Sequence, residues 1–218
     1  MIQHDAWFFP DGETQLPRVM TKINHRVEGR LTFQYHKYKA ALGLCAQRRV
    51  AVDVGAHVGL WSYWMARDFQ YLAAFEPHPD HRECWAKNLA HVAGTDWRLY
   101  DTALGAAEGT ITLAANVGES GGTHVAATGV AVPQCTLDSY AFPVIDLLKI
   151  DCEGYEPAVI AGATETIRRC RPVIVVEQYA EGRQRSYGFT ATAAVDALRA
   201  LGGRVVVVLG SDTIVRFD

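Results

Sequence analysis

The chain has 218 residues and a mass of 24.0 kDa, the size of one ordinary domain. Hydrophobic residues make up 49% of it and charged residues 21%, a composition that excludes global disorder and supplies a core without disulfide or metal cross-links. The formal net charge of −3 argues against a protein devoted to binding nucleic acid.

From residue 50 onward, short β-branched runs alternate with segments of helical character. The predicted strands are Val50–Val54, Tyr71–Phe75, Trp97–Tyr100, Leu147–Ile150, Val173–Glu177, Val205–Leu209 and Thr213–Phe217. The predicted helices are Leu60–Arg67, Pro79–His91, Tyr155–Ala163 and Ala191–Leu201. Continuous apolar strands separated by helices indicate an α/β fold with a mostly parallel sheet between two helical layers. The tight turn before Thr213 makes one of the seven strands antiparallel.

Two regions depart from this alternation. Residues 105–140 are rich in glycine and β-prone residues, and we predict hairpin-like material inserted near the ligand-binding edge of the sheet. Residues 1–45 form an N-terminal appendage with an amphipathic helix around Tyr35–Leu44, which we expect to contact substrate or a partner. Residues 46–218 form the main domain.

Five cysteines are scattered along the chain, and no two of them form a C-x-x-C pair. This spacing excludes a zinc ribbon and a thioredoxin-type centre. An odd number of separated thiols favours a reducing compartment. The first residues lack the regions of a signal peptide, and the aliphatic stretches are too short to span a bilayer. We therefore expect a cytoplasmic protein that does not enter membranes.

The strongest chemical signal is the turn after the first strand of the main domain, Val52-Asp53-Val54-Gly55-Ala56-His57-Val58-Gly59. Glycines there let the backbone approach a ligand closely. A dinucleotide site would have the pattern G-x-G-x-x-G, but the middle glycine is missing and Asp53 would repel a pyrophosphate. A carboxylate suits a cation, and S-adenosylmethionine carries an ammonium and a sulfonium. We predict that this ligand contacts Asp53, Gly55, Ala56, His57 and Gly59.

The next two strand ends are predicted to complete the cofactor site. Glu76 follows Asp53 by 23 residues, precedes Pro77, and can accept hydrogen bonds from both ribose hydroxyls. Asp101-Thr102-Ala103 ends the following strand at the same edge of the sheet and is expected to flank the adenine. For Asp101, a solvated position in the loop is an equally good interpretation.

A second signal follows the strand Leu147–Ile150. Asp151 and Glu153 lie two residues apart where a buried strand ends, so both can enter the cleft. When an alcohol accepts a methyl group it must lose a proton, and these carboxylates are candidates to orient or deprotonate it. Lys149 shares a strand face with Asp151, so it is a third catalytic candidate or the partner of an acid.

Several blocks of this sequence resemble those of one known family. Leu148–Glu156, followed by Val159-Ile160-x-Gly162-Ala163, is similar to the signature of the FkbM family of S-adenosylmethionine-dependent O-methyltransferases. Further blocks match that family in order: Val52–Gly59, Phe75-Glu76-Pro77, Ala103-Leu104-Gly105, Thr136-Leu137-Asp138 and Val173–Glu177.

The resemblance covers roughly residues 50–180. It implies a class I methyltransferase fold, a Rossmann-like three-layer sandwich. It also implies that S-adenosylmethionine binds at Asp53–Gly59 and Glu76, with S-adenosylhomocysteine as the product. Asp151 is expected at the cofactor as well. The family methylates hydroxyl groups, and its acceptors are diverse.

A divalent metal ion is possible but not favoured. Asp151, Glu153 and Glu177 can supply oxygen ligands of the kind that Mg²⁺ accepts, but no ligand spacing in the sequence demands a metal. We expect Glu177 to contact the methyl acceptor instead.

Gly118-Glu119-Ser120-Gly121-Gly122 formally matches the nucleophile elbow of hydrolases. The elbow requires a helix to follow, whereas β-prone residues follow here, and the triad requires a later histidine, whereas His124 is the last in the chain. We therefore predict a loop over the acceptor in which Ser120 contacts the substrate.

Charge is unevenly distributed, because residues 18–49 contain eight basic residues and one acid, Glu28. The favoured interpretation is a solvated face of the structure. The alternative is an anionic acceptor or partner, namely a phosphorylated sugar, a sugar nucleotide or RNA. Methylation of a small molecule or sugar is thus the first prediction, RNA methylation the second, and a non-catalytic cofactor-binding protein the third.

Overall fold

A computed structural model describes residues 1–178 and 182–218 of the chain. The N-terminal segment, residues 1–45, has more structure than the single predicted helix. Its elements are β1 (Ile2–His4), β2 (Trp7–Phe9), α1 (Gln15–Ile23), β3 (Arg26–Val27), β4 (Arg30–Leu31) and α2 (Tyr35–Leu42). Helix α2 lies where the sequence predicts it. The two short hairpins were not predicted, because two- and three-residue strands are too short to show a periodic pattern. Helix α1 was not predicted either.

The main domain follows with alternating strands and helices. Its strands are β5 (Val50–Val54), β6 (Tyr71–Phe75), β7 (Asp96–Tyr100), β8 (Ala103–Leu104), β9 (Gly109–Asn116), β10 (Glu119–Val125), β11 (Val130–Cys135), β12 (Leu147–Ile150), β13 (Val173–Glu177), β14 (Arg204–Leu209) and β15 (Asp212–Arg216). Its helices are α3 (Ser62–Asp68), α4 (Pro79–Leu89), α5 (Glu156–Ala161), α6 (Thr164–Cys170) and α7 (Ala193–Ala200), with 3₁₀ turns at Asp138–Tyr140 and Arg183–Tyr187.

The central sheet has seven strands in the order β14-β15-β13-β12-β5-β6-β7. Strands β13, β12, β5, β6 and β7 pair in parallel, whereas β15 pairs antiparallel with both of its neighbours, β13 and β14. This arrangement confirms the prediction of a mostly parallel seven-stranded sheet with one antiparallel strand.

Two apolar clusters cover the two faces of this sheet because side chains alternate along each strand. In β5, Val52 and Val54 belong to a cluster that includes residues of α5, α6 and α7. Ala51 of the same strand belongs to the other cluster, together with residues of α2, α3 and α4. The chain thus forms three layers, as predicted, and α2 of the N-terminal segment contributes to one of the outer layers.

Residues 103–135 form a second sheet, in the order β10-β9-β11-β8. Strand β9 pairs antiparallel with both β10 and β11, which confirms the prediction of hairpin-like material between β7 and β12. Gly118, in the turn between β9 and β10, accepts backbone hydrogen bonds from Thr14 and Gln15 through its carbonyl group. The second sheet is therefore fixed to the N-terminal segment. No helix in the described residues has both the length and the hydropathy needed to cross a membrane.

Candidate functional site

A cavity of about 380 Å³ lies at the carboxyl ends of β5, β6, β12 and β13, where open α/β sheets bind ligands. One side is lined by the strand ends themselves, from Val54 to His57, from Phe75 to Pro77 and from Asp151 to Glu153. We call this side the cofactor half. The other side is lined by Leu16, Val19 and Phe33 of the N-terminal segment and by Ile111, Leu113, Ser120 and Val125 of the second sheet. We call it the acceptor half.

The two glycines of the predicted cofactor turn are required by contacts within the protein. Gly55 has a φ of +72°, and a Cβ atom on it would lie 1.9 Å from the carbonyl oxygen of Asp151. Gly59 has a φ of +88°, and its Cβ would meet the side chains of Leu89 and Trp85 at 2.8 and 2.9 Å. Gly55 and Ala56 line the cavity, but Gly59 does not. Gly59 therefore allows α4 to pack closely and is not placed to contact a ligand.

Asp53 lies beneath the cavity and does not line it. Its carboxylate is fully buried, accepts a 2.6 Å hydrogen bond from the hydroxyl of Ser62, and lies 3.5 Å from the ammonium of Lys149. Burial raises the pKa of Asp53, although Lys149 counteracts this effect. Direct contact between Asp53 and a cationic ligand, which the sequence predicts, does not fit this position, because the side chain is enclosed by protein atoms.

Lys149 joins two acids at the base of the site. Its ammonium lies 3.2 Å from Asp151 and 3.5 Å from Asp53, and only 3% of the residue is exposed. Burial alone would lower the pKa of Lys149, but the two carboxylates raise it above its usual value. Lys149 is thus paired with two acids, an arrangement that fits the second of the two roles that the sequence left open.

Glu153 enters the cavity from a strained position, with a φ of +53°. Arg183, in the 3₁₀ turn that follows β13, donates a 2.6 Å hydrogen bond to Oε2 of Glu153. Burial and the negative charge of Asp151 raise the pKa of Glu153 to about 7, while Arg183 opposes that rise. A carboxylate with a pKa near neutrality is well suited to accept a proton at physiological pH.

Glu76 is held in place by backbone and histidine donors. Its Oε2 accepts a 2.7 Å bond from the backbone N–H of His57, and its Oε1 accepts a 2.8 Å bond from that of His78 and a 3.3 Å contact from His81. Although burial would raise the pKa of Glu76, these bonds lower it, so the side chain is ionised. Glu76 lines the cavity, as expected for a group that accepts hydrogen bonds from a ribose.

Some of the remaining predicted cofactor residues line the cavity and one does not. Pro77, Thr102 and Ala103 line the cavity. Asp101 is exposed and does not line it. The alternative interpretation of Asp101 as a solvated loop acid therefore fits its position.

The three carboxylates predicted as possible metal ligands do come together. Oxygen atoms of Asp151, Glu153 and Glu177 lie within 4.8 Å of one another. Glu177, which the sequence predicts at the acceptor, also lines the cavity and accepts a hydrogen bond from Ser211. The protein itself supplies cations to two of the three acids, Lys149 beside Asp151 and Arg183 beside Glu153.

The eight basic residues of 18–49 lie outside the lining of the cavity. Four of them form ion pairs with acids: Arg26 with Asp5, Lys37 with Asp212, Arg48 with Asp68 and Arg49 with Asp146. Arg30 lies over the rings of Trp7 and Tyr63. The sequence favours a solvated face for this stretch, and the structure adds that five of its eight basic side chains also contact acids or aromatic rings.

The N-terminal segment also supplies cavity residues that the sequence did not reveal. Gln15, Leu16, Val19, Phe33 and Gln34 line the acceptor half. Glu13 lies behind them and accepts a hydrogen bond from the hydroxyl of Ser120. Ser120, which the sequence predicts at the substrate, lines the cavity. Its hydroxyl donates its proton in the hydrogen bond to Glu13. No local motif marks these residues, because their contacts join distant parts of the sequence; Glu13 and Ser120, for example, lie 107 positions apart.

Comparisons with known proteins agree with this architecture. A family model described as "Methyltransferase FkbM domain" matches residues 53–205. A methyltransferase FkbM from Methylobacillus flagellatus is 16% identical with a TM-score of 0.54, and the match covers 78% of this chain and 44% of that one. A precorrin-6y C5,15-methyltransferase from Geobacter metallireducens is 14% identical with a TM-score of 0.51, and the match covers 98% and 97% of the two chains.

These two structures share the fold with this chain, which spans less than half the length of the first. No curated protein matches the sequence. The family model covers well over half of the chain, including the cofactor turn, Glu76 and the Asp151–Glu153 segment. The chain belongs to the FkbM family of S-adenosylmethionine-dependent methyltransferases.

Proposed function

We propose that the protein transfers the methyl group of S-adenosylmethionine to a hydroxyl of a small, uncharged acceptor such as a sugar or another polar small molecule. The charge of the cavity lining carries this proposal. Five acids line the cavity, Glu76, Glu119, Asp151, Glu153 and Glu177, and among the described residues Lys149 is the one lysine or arginine that lines it. Lys149 is already paired with Asp53 and Asp151.

This lining suits a cationic cofactor and disfavours phosphate groups. Glu76, ionised and facing the cavity, would accept hydrogen bonds from the ribose hydroxyls. The turn from Gly55 to His57, with Pro77, Thr102 and Ala103, would enclose the nucleoside. Asp151 would face the amino-acid end, with Lys149 holding it in place and Asp53 balancing Lys149 from below. Asp101 and Gly59 have no part in this proposal.

S-adenosylmethionine, held by the cofactor half, would supply the methyl group of its sulfonium; the acceptor oxygen would gain that methyl group as the carbon–sulfur bond breaks and S-adenosylhomocysteine is left. The protein must orient that oxygen, exclude water and take its proton. Glu153 is our candidate for the proton acceptor because it lines the cavity and its pKa is raised to about 7. Oxygen atoms of Glu177 and Asp151 lie within 4.8 Å of one of Glu153, so these two acids would help to orient the hydroxyl. Lys149, enclosed between two acids, would hold Asp151 and would not take part in proton transfer.

RNA is a poorer acceptor on the same evidence. Binding of a polyanion requires cations at the site, but none of the eight basic residues of 18–49 lines the cavity, and four of them are paired with acids. Phosphorylated sugars and sugar nucleotides also carry negative charge and would likewise lack a cation at the cavity.

Matched acceptors test the proposal. Wild-type protein is incubated with methyl-tritiated S-adenosylmethionine and with octyl glucoside, octyl glucoside 6-phosphate or a short single-stranded RNA, each with and without EDTA. We expect label in the neutral glycoside, little in its phosphate and none in RNA, with no effect of EDTA. Preferential labelling of the phosphate or the RNA contradicts an uncharged acceptor. Loss of activity in EDTA, restored by Mg²⁺, contradicts the expectation that the reaction needs no divalent metal ion.

A further inference from the structure

Glu13 of the N-terminal segment is a buried carboxylate, 3% exposed, that contacts the second sheet. Its Oε1 accepts a 2.9 Å hydrogen bond from the backbone N–H of Leu16. Its Oε2 accepts hydrogen bonds from both the backbone N–H and the hydroxyl of Ser120. Among the described residues no cationic side chain lies within 4.0 Å of Glu13. A buried carboxylate is costly unless it is well hydrogen-bonded, so these bonds hold the segment against the sheet.

The same serine contacts the cofactor turn. The Oγ atom of Ser120 lies 2.8 Å from Nε2 of His57. Each oxygen of Glu13 faces a backbone N–H, the pattern of an ionised carboxylate, which can only accept hydrogen bonds. The single proton of the Ser120 hydroxyl therefore points to Glu13, and Nε2 of His57 must carry the hydrogen that it donates to Ser120.

His57 is consequently fixed in one form. Burial and the nearby His81 lower the pKa of His57 well below its usual value, so the ring is neutral and bears one hydrogen. With that hydrogen on Nε2, Nδ1 is an acceptor. The ring lines the cavity, and the backbone N–H of the same residue holds Glu76. The chain of contacts thus runs from the N-terminal segment, across the second sheet, to the proposed ribose-binding carboxylate.

We propose that Glu13 is a positioning residue that acts through Ser120 to fix the Nε2–H tautomer and the orientation of His57, and so couples docking of the N-terminal segment to the cofactor turn. The hydrogen bond made at one ring nitrogen of a histidine decides which nitrogen carries the hydrogen. The effect on the tautomer is independent of the reaction, whereas the effect on cofactor affinity rests on the function proposed above.

Glu13→Gln tests the proposal with minimal change in shape. Its side-chain amide can donate to Ser120, which frees the hydroxyl proton to point to His57. Ring nitrogen shifts of ¹⁵N-histidine-labelled protein report which nitrogen carries hydrogen, and calorimetry reports the affinity for S-adenosylhomocysteine. We expect wild-type His57 as Nε2–H, a shift toward Nδ1–H in Glu13→Gln, and an affinity lowered about 10-fold.

Glu28→Gln is the matched control, because Glu28 lies in the same segment, is exposed and does not line the cavity. It should leave both readouts unchanged. A folded Glu13→Gln protein with the wild-type tautomer and affinity overturns the proposal.

If Glu13→Gln does not fold, Ser120→Ala decides the question, since it removes only the hydroxyl. We expect Ser120→Ala to change the ring nitrogen shifts of His57 and to lower the affinity for S-adenosylhomocysteine. Wild-type values in both measurements overturn the proposal. If the wild-type protein binds no S-adenosylhomocysteine, the proposed function is wrong. The tautomer measurement still tests the effect of Glu13 on His57, because it does not depend on cofactor binding.

Discussion

The two halves of the cavity are built differently. In the cofactor half, the groups follow directly after parallel strands, and charged side chains are paired at fixed distances, such as Lys149 between Asp53 and Asp151. In the acceptor half, the wall is mainly apolar and comes from the N-terminal segment and the second sheet, which are joined through Glu13. The comparison teaches that the fold itself builds the cofactor half, whereas contacts between distant segments build the acceptor half.

The largest effect is expected at Lys149. Lys149→Met leaves the buried carboxylate of Asp53 and the partly buried one of Asp151 without their cation, and such losses cost about 3–5 kcal/mol of unfolding free energy. Urea denaturation measures this loss. Lys39→Met, at an exposed lysine of α2, is the control and should change stability by about 0.5 kcal/mol or less. Equal stability of the two variants would show that the cofactor half does not depend on this charge cluster.

Glu153 should affect catalysis and leave the fold intact. Glu153→Gln removes the proposed proton acceptor, and we expect kcat to fall about 10²–10⁴-fold. Affinity for S-adenosylhomocysteine should change little, because the glutamine preserves the shape of the side chain. Glu165→Gln, at an exposed acid of α6, serves as the control for turnover. A kcat of Glu153→Gln close to the wild-type value would contradict the proposal that Glu153 accepts the proton.

Gly55 tests whether close packing of strand ends supports the cofactor turn. Gly55→Ala forces a left-handed backbone and a collision with the carbonyl of Asp151, and we expect a loss of about 1–3 kcal/mol in unfolding free energy together with weaker cofactor binding. Gly109→Ala is the matched control, since a Cβ at that position meets no atom within 4 Å. An unchanged melting temperature for Gly55→Ala would contradict the described contact.

The smallest expected effect is a shift in pH dependence. The pKa of Glu153 is raised to about 7, so the proton-accepting form and kcat/KM should increase as pH rises through about 7. Arg183 favours the ionised form, so Arg183→Gln should raise the pKa of Glu153 and move the midpoint about one unit toward alkaline pH. Arg185→Gln, at an exposed arginine of the same 3₁₀ turn, should leave the profile in place.

The difference between the halves also explains what the sequence could predict. Seven strands, their order of appearance and the turn from Asp53 to Gly59 depend on local patterns, which periodicity and glycine spacing reveal. Proximity of Asp151, Glu153 and Glu177 could be inferred, because carboxyl ends of parallel strands meet at one edge.

Other features depend on contacts that no local pattern contains. Asp53 was expected to face the ligand, but the depth of burial depends on how α3 and Lys149 pack around it. Gly59 serves the packing of Trp85 and Leu89 against the turn. Glu13 meets Ser120 across 107 positions, so its role cannot be seen without the fold.

The most direct test of the account is a calorimetric titration of the wild-type protein with S-adenosylhomocysteine and, separately, with NAD. An acidic cavity with an ionised Glu76 and no cation available for a pyrophosphate predicts saturable one-to-one binding of S-adenosylhomocysteine and no heat from NAD. Glu76→Ala should abolish the first signal, and Glu83→Gln, at an exposed acid of α4, should preserve it. Binding of NAD without binding of S-adenosylhomocysteine would contradict the account.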